Sequence, residues 1–144
     1  MTINEIQEQI IEEFSAFTDW MDKYEYLIEL GKNLPLIDEK SKTEQCLIRG
    51  CQSRVWIDAE YVNGKIIYKA DSDAIITKGI ISLLIRVMSD HEPAEIKNAD
   101  LFFIEKTGLH ENLSPTRANG LLAMIKQMRL YAAAFALIHE KELI

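Results

Sequence analysis

Hydrophobic positions recur with a helical period from the first residues. Ile3, Ile6, Ile10, Phe14 and Phe17 fall on one face, which predicts an amphipathic helix from about Ile3 to Phe17. Thr2 and Glu5 have the spacing of a capping box at its start. Trp20, Tyr24, Leu27 and Ile28 carry the same period into a second helix. Thr18 or Asp19 is placed to cap it, Gly31 to end it and Pro35 to prevent its continuation. The polar stretch Asp38 to Glu44 reads as a loop.

The period then changes. Val55, Ile57, Ala59 and Tyr61 alternate with Trp56, Asp58 and Glu60, the pattern of a strand with one buried face. Asn63-Gly64 follows, and both residues tolerate the positive φ of a tight hairpin turn. Ile66-Ile67-Tyr68 makes the returning strand. Gln45–Arg49 reads as a shorter third strand, with Cys46 and Ile48 facing the core. Beyond the hairpin, Ile76, Gly79, Ile80, Leu83, Leu84 and Val87 form the apolar stripe of a helix that Ser72 or Asp73 would cap. Pro93 opens a short helix, and Asp100 another that stops near Gly108. Ser114-Pro115 starts a last, long helix with Leu121, Met124, Ile125, Met128, Ala132, Phe135 and Ile138 on its core face. The expected fold is α+β: a small antiparallel sheet of about three strands with helices on both sides, packed with N-terminal helices and a long C-terminal helix.

At 144 residues the chain is expected to form one domain, 1–144. Its formal net charge of −7 argues against a broad phosphate-binding face, so no nucleic-acid partner is expected, while an acidic balance suits steering toward a basic protein. No apolar run approaches the roughly 18–20 residues of a membrane span. Even Ile75–Met88 is interrupted by Thr77, Lys78, Ser82 and Arg86. The acidic, amphipathic N-terminus lacks the basic start of a signal peptide. A cytoplasmic chain without a membrane partner is the expectation, and its two cysteines are read as reduced thiols.

The sequence lacks GxGxxG, GxxxxGK[ST], HExxH, CxxC and GxSxG, so nucleotide, zinc-protease and hydrolase readings have no support. His91, His110 and His139 are isolated, and Cys46 and Cys51 stand wider than a zinc knuckle, so no metal site is expected. Gly50-Cys51-Gln52-Ser53 falls between two strands, where a loop can present a reactive thiol. From the residues alone this stays open, because free cysteine is among the most buried residue types. Ser72-Asp73 and Ser114-Pro115 both read as helix caps. Arg117, at a helix start where the dipole disfavours a cation, would pair with Glu105 or Glu111 or hold a partner's carboxylate.

Five ordered blocks change this balance. They are Trp20 with Tyr24-Glu25-Tyr26-Leu27-Ile28-Glu29-Leu30-Gly31-Lys32 and Leu34-Pro35; Gly50-Cys51-Gln52-Ser53-Arg54-Val55-Trp56; Asp71-Ser72-Asp73-Ala74; Lys78-Gly79; and Leu113 to Leu121 with Met124. Together they resemble the SufE-type sulfur acceptors of iron–sulfur cluster biogenesis. The resemblance implies an α+β fold shared with the scaffold protein IscU, with the family's essential cysteine at Cys51. It further implies a sulfur carrier and activator with no independent turnover, which accepts a persulfide sulfur from a SufS-type cysteine desulfurase. Pyridoxal phosphate would belong to that partner and this chain would need no cofactor. A SufBCD-type scaffold would receive the sulfur. Gly50, Gln52, Ser53, Asp73, Arg117 and Asn119 are the expected loop-supporting or partner-binding residues. The Cys51 loop is expected to hinge at Gly50 and to rest with its sulfur in an apolar recess. Cys46 departs from the family pattern, which leaves open a disulfide or a second sulfur site, with packing the preferred reading.

Overall fold

A computed structural model describes residues 1–142, the side chains from Met1 to His139 among them. Helix α1 (Ile3–Ser15) begins with the expected capping box: the Glu5 amide donates to the Thr2 hydroxyl, and the Thr2 amide donates to the Glu5 carboxylate. Ile3, Ile10 and Phe14 are buried on its inner face, and so is Gln7. Gln7 is no misplaced polar residue, because its side chain accepts from the Phe103 amide and donates to the Asp100 carbonyl. Helix α2 (Trp20–Gly31) is capped by Asp19, which accepts from the Met21 amide at 2.9 Å.

The sheet is a hairpin of β1 (Val55–Val62) and β2 (Lys65–Ser72), paired antiparallel from Val55 opposite Ser72 to Val62 opposite Lys65. Asn63 and Gly64 turn the chain with φ of 51° and 83°. The expected third strand is not formed. Gln45–Arg49 contributes one bridge, Leu47 to Trp56, because Thr43 turns the chain just before it and leaves too short an extended run. Single bridges from Leu36 and His91 meet β2 as well, so short segments cover the edges of the hairpin without extending it. Burial alternates along both strands: Val55, Ile57, Ile66, Tyr68 and Ala70 are sealed, while Asp58, Glu60, Lys69 and Asp71 face outward. The helices therefore gather on one face of the sheet, not on both.

Helix α3 (Ile75–Met88) lies on β2 and is covered in turn by α2. The α2–α3 crossing is made at backbone distance, since a Cβ on Gly79 would fall 2.1 Å from the Leu27 carbonyl oxygen. Neither Ser72 nor Asp73 is the N-cap of α3: Ala74 holds that position with no side-chain cap. Across α1, α2 and α3 the Arg86 guanidinium reaches the Glu13 carboxylate at 2.8 Å, and Tyr26 donates to the same carboxylate. The Arg86 bond holds Glu13 below the usual carboxylate range, and burial together with Glu13 pushes Tyr26 up to about 12.

Short helices α4 (Pro93–Asn98) and α5 (Phe103–Lys106) lead to α6 (Pro115–Glu142). Leu121, Met124, Met128 and Ala132 of α6 are buried against the sheet. Two tyrosines fasten this packing, Tyr68 donating to the Met128 carbonyl at 2.7 Å and Tyr131 to the Ile57 carbonyl at 2.9 Å. One expectation needs correction here. Over Pro115–His139, α6 is long and apolar enough to cross a membrane by length and composition. Spaced charges break its apolar runs in sequence, but its Ala, Leu and Met content suffices over a whole helix. Its inward stripe of Leu121, Met124, Met128 and Ala132 is used by the core, while Leu122, Leu130, Leu137 and Ile138, the last expected on the core face, are exposed.

Candidate functional site

The Cys51 loop spans the gap between the Leu47 bridge and β1. Gly50 has φ of 93°, a conformation that a side chain disfavours. Space is not the constraint there, since a Cβ at residue 50 would come no closer than 3.6 Å to Ala123. The turn directs Cys51 toward the first turns of α6. Its Sγ lies 3.7 Å from the Gly120 carbonyl oxygen, and a Cβ on residue 120 would sit 3.4 Å from the sulfur. The thiol is seated on the helix surface at Gly120, where an added Cβ would stand in ordinary van der Waals contact with it.

Ser72 and Asp73 hold the far end of the loop. The Asp73 carboxylate accepts from the Arg54 amide at 3.0 Å, while the Arg54 carbonyl accepts from the Ser72 hydroxyl at 2.8 Å and the Asp73 amide at 3.2 Å. These are the two residues read as caps of α3. Their side chains serve the loop backbone instead, although the Ser72 oxygen also accepts from the Ala74 amide at 3.2 Å. Ser114 does cap its helix, accepting from the Arg117 amide at 3.3 Å.

Beside Cys51 opens a recess of about 300 Å³. Ile80, Met124 and Thr77, all buried, lie at its inner side. Gln52, Ser53, Ser114, Thr116 and Arg117 complete the lining, so the recess is mixed in polarity and not apolar as expected. Cys51 is half-buried, and that burial raises its thiol above the ordinary value.

Of the sequence-predicted residues, Cys51, Gln52, Ser53 and Arg117 line the recess, Gly50 shapes the turn and Asp73 pins the loop. Asn119 is exposed and is not part of the lining. Arg117 is exposed too, and among the described residues it forms no ion pair with Glu105, Glu111 or any other carboxylate. Sequence reasoning missed Gly120 as a neighbour of the thiol, and Thr77, Ile80 and Met124 as lining of the recess beside it. Gly120 carried a usable signal: glycine in the second turn of a long helix costs about 1 kcal/mol relative to alanine, which calls for a local reason.

Cys46 is separate from this site. It is half-buried beside Tyr131, its carbonyl accepting from the Ile57 amide at 2.9 Å. Burial and the neighbouring Cys46 push Tyr131 up to about 12. Both cysteines are free. Among the described residues no group of three or more His, Cys, Asp or Glu gathers in a way that could hold a metal ion.

The fold and the sequence have counterparts. The structure superposes on the solution structure of a hypothetical protein from Thermus thermophilus with a TM-score of 0.74, covering 90% of this chain and 94% of that one at 20% identity, a likeness of fold. An uncharacterised SufE-like protein of Synechocystis sp. is 40% identical over 129 residues, covering 90% of this chain and 81% of its own length. A second, of Rhizobium meliloti, is 39% identical over 129 residues, covering 85% and 91%. The SufE family, described as an Fe-S metabolism associated domain, matches residues 8–132 and so takes in the hairpin, the Cys51 loop, the Asp73 tether and the recess-forming turns of α6. This chain belongs to the SufE family, and its role lies in Fe–S metabolism.

Proposed function

We propose that Cys51 accepts sulfur as a persulfide from a SufS-type cysteine desulfurase and relays it toward iron–sulfur cluster assembly. The observation that carries this reading is the placement of the thiol. Cys51 sits on a glycine-turned loop, half-buried, at the mouth of a recess, within the region that the family shares. The thiolate of Cys51 attacks the terminal sulfur of the donor Cys–S–SH. A new S–S bond forms on Cys51, the donor's S–S bond breaks, and the donor cysteine leaves as thiolate. Pyridoxal phosphate belongs to the desulfurase, and this chain acts as a cytoplasmic carrier and activator with no turnover of its own.

The raised thiol fits a two-position loop. In the rest position burial favours the neutral form of the thiol. A docked partner draws the loop outward about Gly50, and the sulfur ionises as its surroundings become more polar. Asp73, tied to Arg54, keeps the outer end of the loop in place during that movement. Arg117 and Asn119 face outward beside the site and supply polar contacts to the partner. A SufBCD-type scaffold is the recipient in this scheme.

Intact-mass spectrometry after incubation with a SufS-type desulfurase and cysteine tests the proposal. One added sulfur on the wild type, absent from Cys51→Ala, is the expected result. Stimulated desulfurase turnover without any added sulfur would replace the carrier reading with that of a regulator.

A further inference from the structure

The recess beside Cys51 has a charge pattern unlike the rest of the chain. The protein as a whole carries −7, with 23 acidic residues against 16 basic. The recess lining holds no Asp or Glu, and its single charged group is the Arg117 guanidinium. That guanidinium stands in the first turn of α6, where the helix dipole opposes a cation and favours an anion, and it has no ion-pair partner among the described residues. Hydroxyls of Ser53, Thr77, Ser114 and Thr116 border the same space. At about 300 Å³ the recess is at the lower end of small-ligand sites, which run from about 300 to 1,000 Å³.

We propose that this recess admits a low-molecular-weight persulfide bearing a carboxylate, of the size of cysteine persulfide. Arg117 holds the carboxylate while Cys51 takes the terminal sulfur. The inference rests on Cys51 being a sulfur acceptor and gives it a second donor that needs no desulfurase. In the transfer, the Cys51 thiolate attacks the terminal sulfur of R–S–SH. The Cys51–S bond forms, the donor's S–S bond breaks, R–S⁻ departs and the proton stays on the transferred sulfur. No oxidant or reductant is consumed. A protein-borne persulfide offers backbone amides in place of the free carboxylate, so dependence on the donor's own carboxylate distinguishes the two donors.

The test compares two donors of nearly equal size, cysteine persulfide and cysteinamide persulfide, which has an amide in place of the carboxylate. The rate of sulfur addition to Cys51 is read by intact mass for wild type, Arg117→Gln and Arg117→Lys. The ratio of the two donors' rates cancels differences in their intrinsic reactivity when compared between proteins. An exposed ion pair predicts that this ratio falls about fivefold in Arg117→Gln. Lysine, which keeps the charge, recovers part of the loss. An unchanged ratio in Arg117→Gln, or no sulfur addition from cysteine persulfide, overturns the inference. A parallel incubation with desulfurase and cysteine separates the failures. Loading by the desulfurase alone removes only the small-molecule donor, whereas loading from neither source removes Cys51 as acceptor.

Discussion

Cys46 and Cys51 are near neighbours in sequence, and both address α6, yet the fold treats them differently. Cys46 is built into the hydrogen-bonded edge of the hairpin, its carbonyl bound to the Ile57 amide and its sulfur beside Tyr131. Cys51 sits on a turn that depends on a positive φ at Gly50, is tethered at Arg54 and meets α6 at Gly120. The two cysteines meet α6 at positions eleven residues apart, about 16 Å along its axis, and both are free thiols. The comparison teaches that two thiols of like exposure can be held by quite different attachments. Both thiols are half-buried, but Cys46 lies on a segment bonded to β1 whereas Cys51 lies on the turn outside that pairing.

The largest effect that would break this comparison is loss of sulfur loading. Cys51→Ala abolishes persulfide formation in the presence of desulfurase and cysteine, whereas Cys46→Ala loads within about twofold of wild type, a margin of about 0.4 kcal/mol. Equal losses in both variants would make the two thiols functionally alike.

Crowding the seat of the sulfur gives the next effect. In Gly120→Val two methyls are added beyond a Cβ that already stands 3.4 Å from the Cys51 Sγ, and overpacking of this kind costs about 1–3 kcal/mol. The loop relieves it by moving outward. Alkylation of Cys51 by iodoacetamide should accelerate several-fold while that of Cys46 stays constant. Unchanged Cys51 alkylation in a folded variant would contradict the seat.

Asp73→Ala removes the acceptor of the Arg54 amide. A hydrogen bond of this type contributes about 1 kcal/mol, which corresponds to a fall in Tm of about 3 °C in a chain of this size. Faster alkylation at Cys51 should accompany it. A fall in Tm with no change at Cys51 would assign Asp73 to the fold and not to the loop.

The smallest effect is a shift in pH. Burial favours the neutral Cys51 thiol, so its alkylation should rise with pH around a midpoint above the free-thiol value of about 8.5. The same burial contributes stability that is complete below the unfolded thiol's range and is lost as pH rises through the raised value. In Gly120→Val the midpoint should move back down, which alkylation rates across alkaline pH would show.

Much of this architecture is legible in local sequence. Thr2 and Glu5, Asn63 and Gly64, and Ser114 and Pro115 act through residues one to three apart, and each forms the cap or turn its spacing implies. The failures involve longer distances. Gln45–Arg49 alternates like a strand, but Thr43 turns the chain before it and only Leu47 finds a bridge. Ser72 and Asp73 have the chemistry of helix caps, and the loop backbone at Arg54, eighteen and nineteen residues away, is what they bind. Arg117 has carboxylates within reach in sequence but forms no ion pair with them among the described residues. The seat of Cys51 on Gly120 joins positions 69 apart, beyond any local period.

The central claim is that sulfur resides on Cys51 and not on Cys46. The wild-type protein, incubated with a SufS-type desulfurase and cysteine, alkylated and digested, can be read peptide by peptide. The account predicts one additional sulfur on the Cys51 peptide and none on the Cys46 peptide. Sulfur on Cys46, or shared equally between the two, would contradict it.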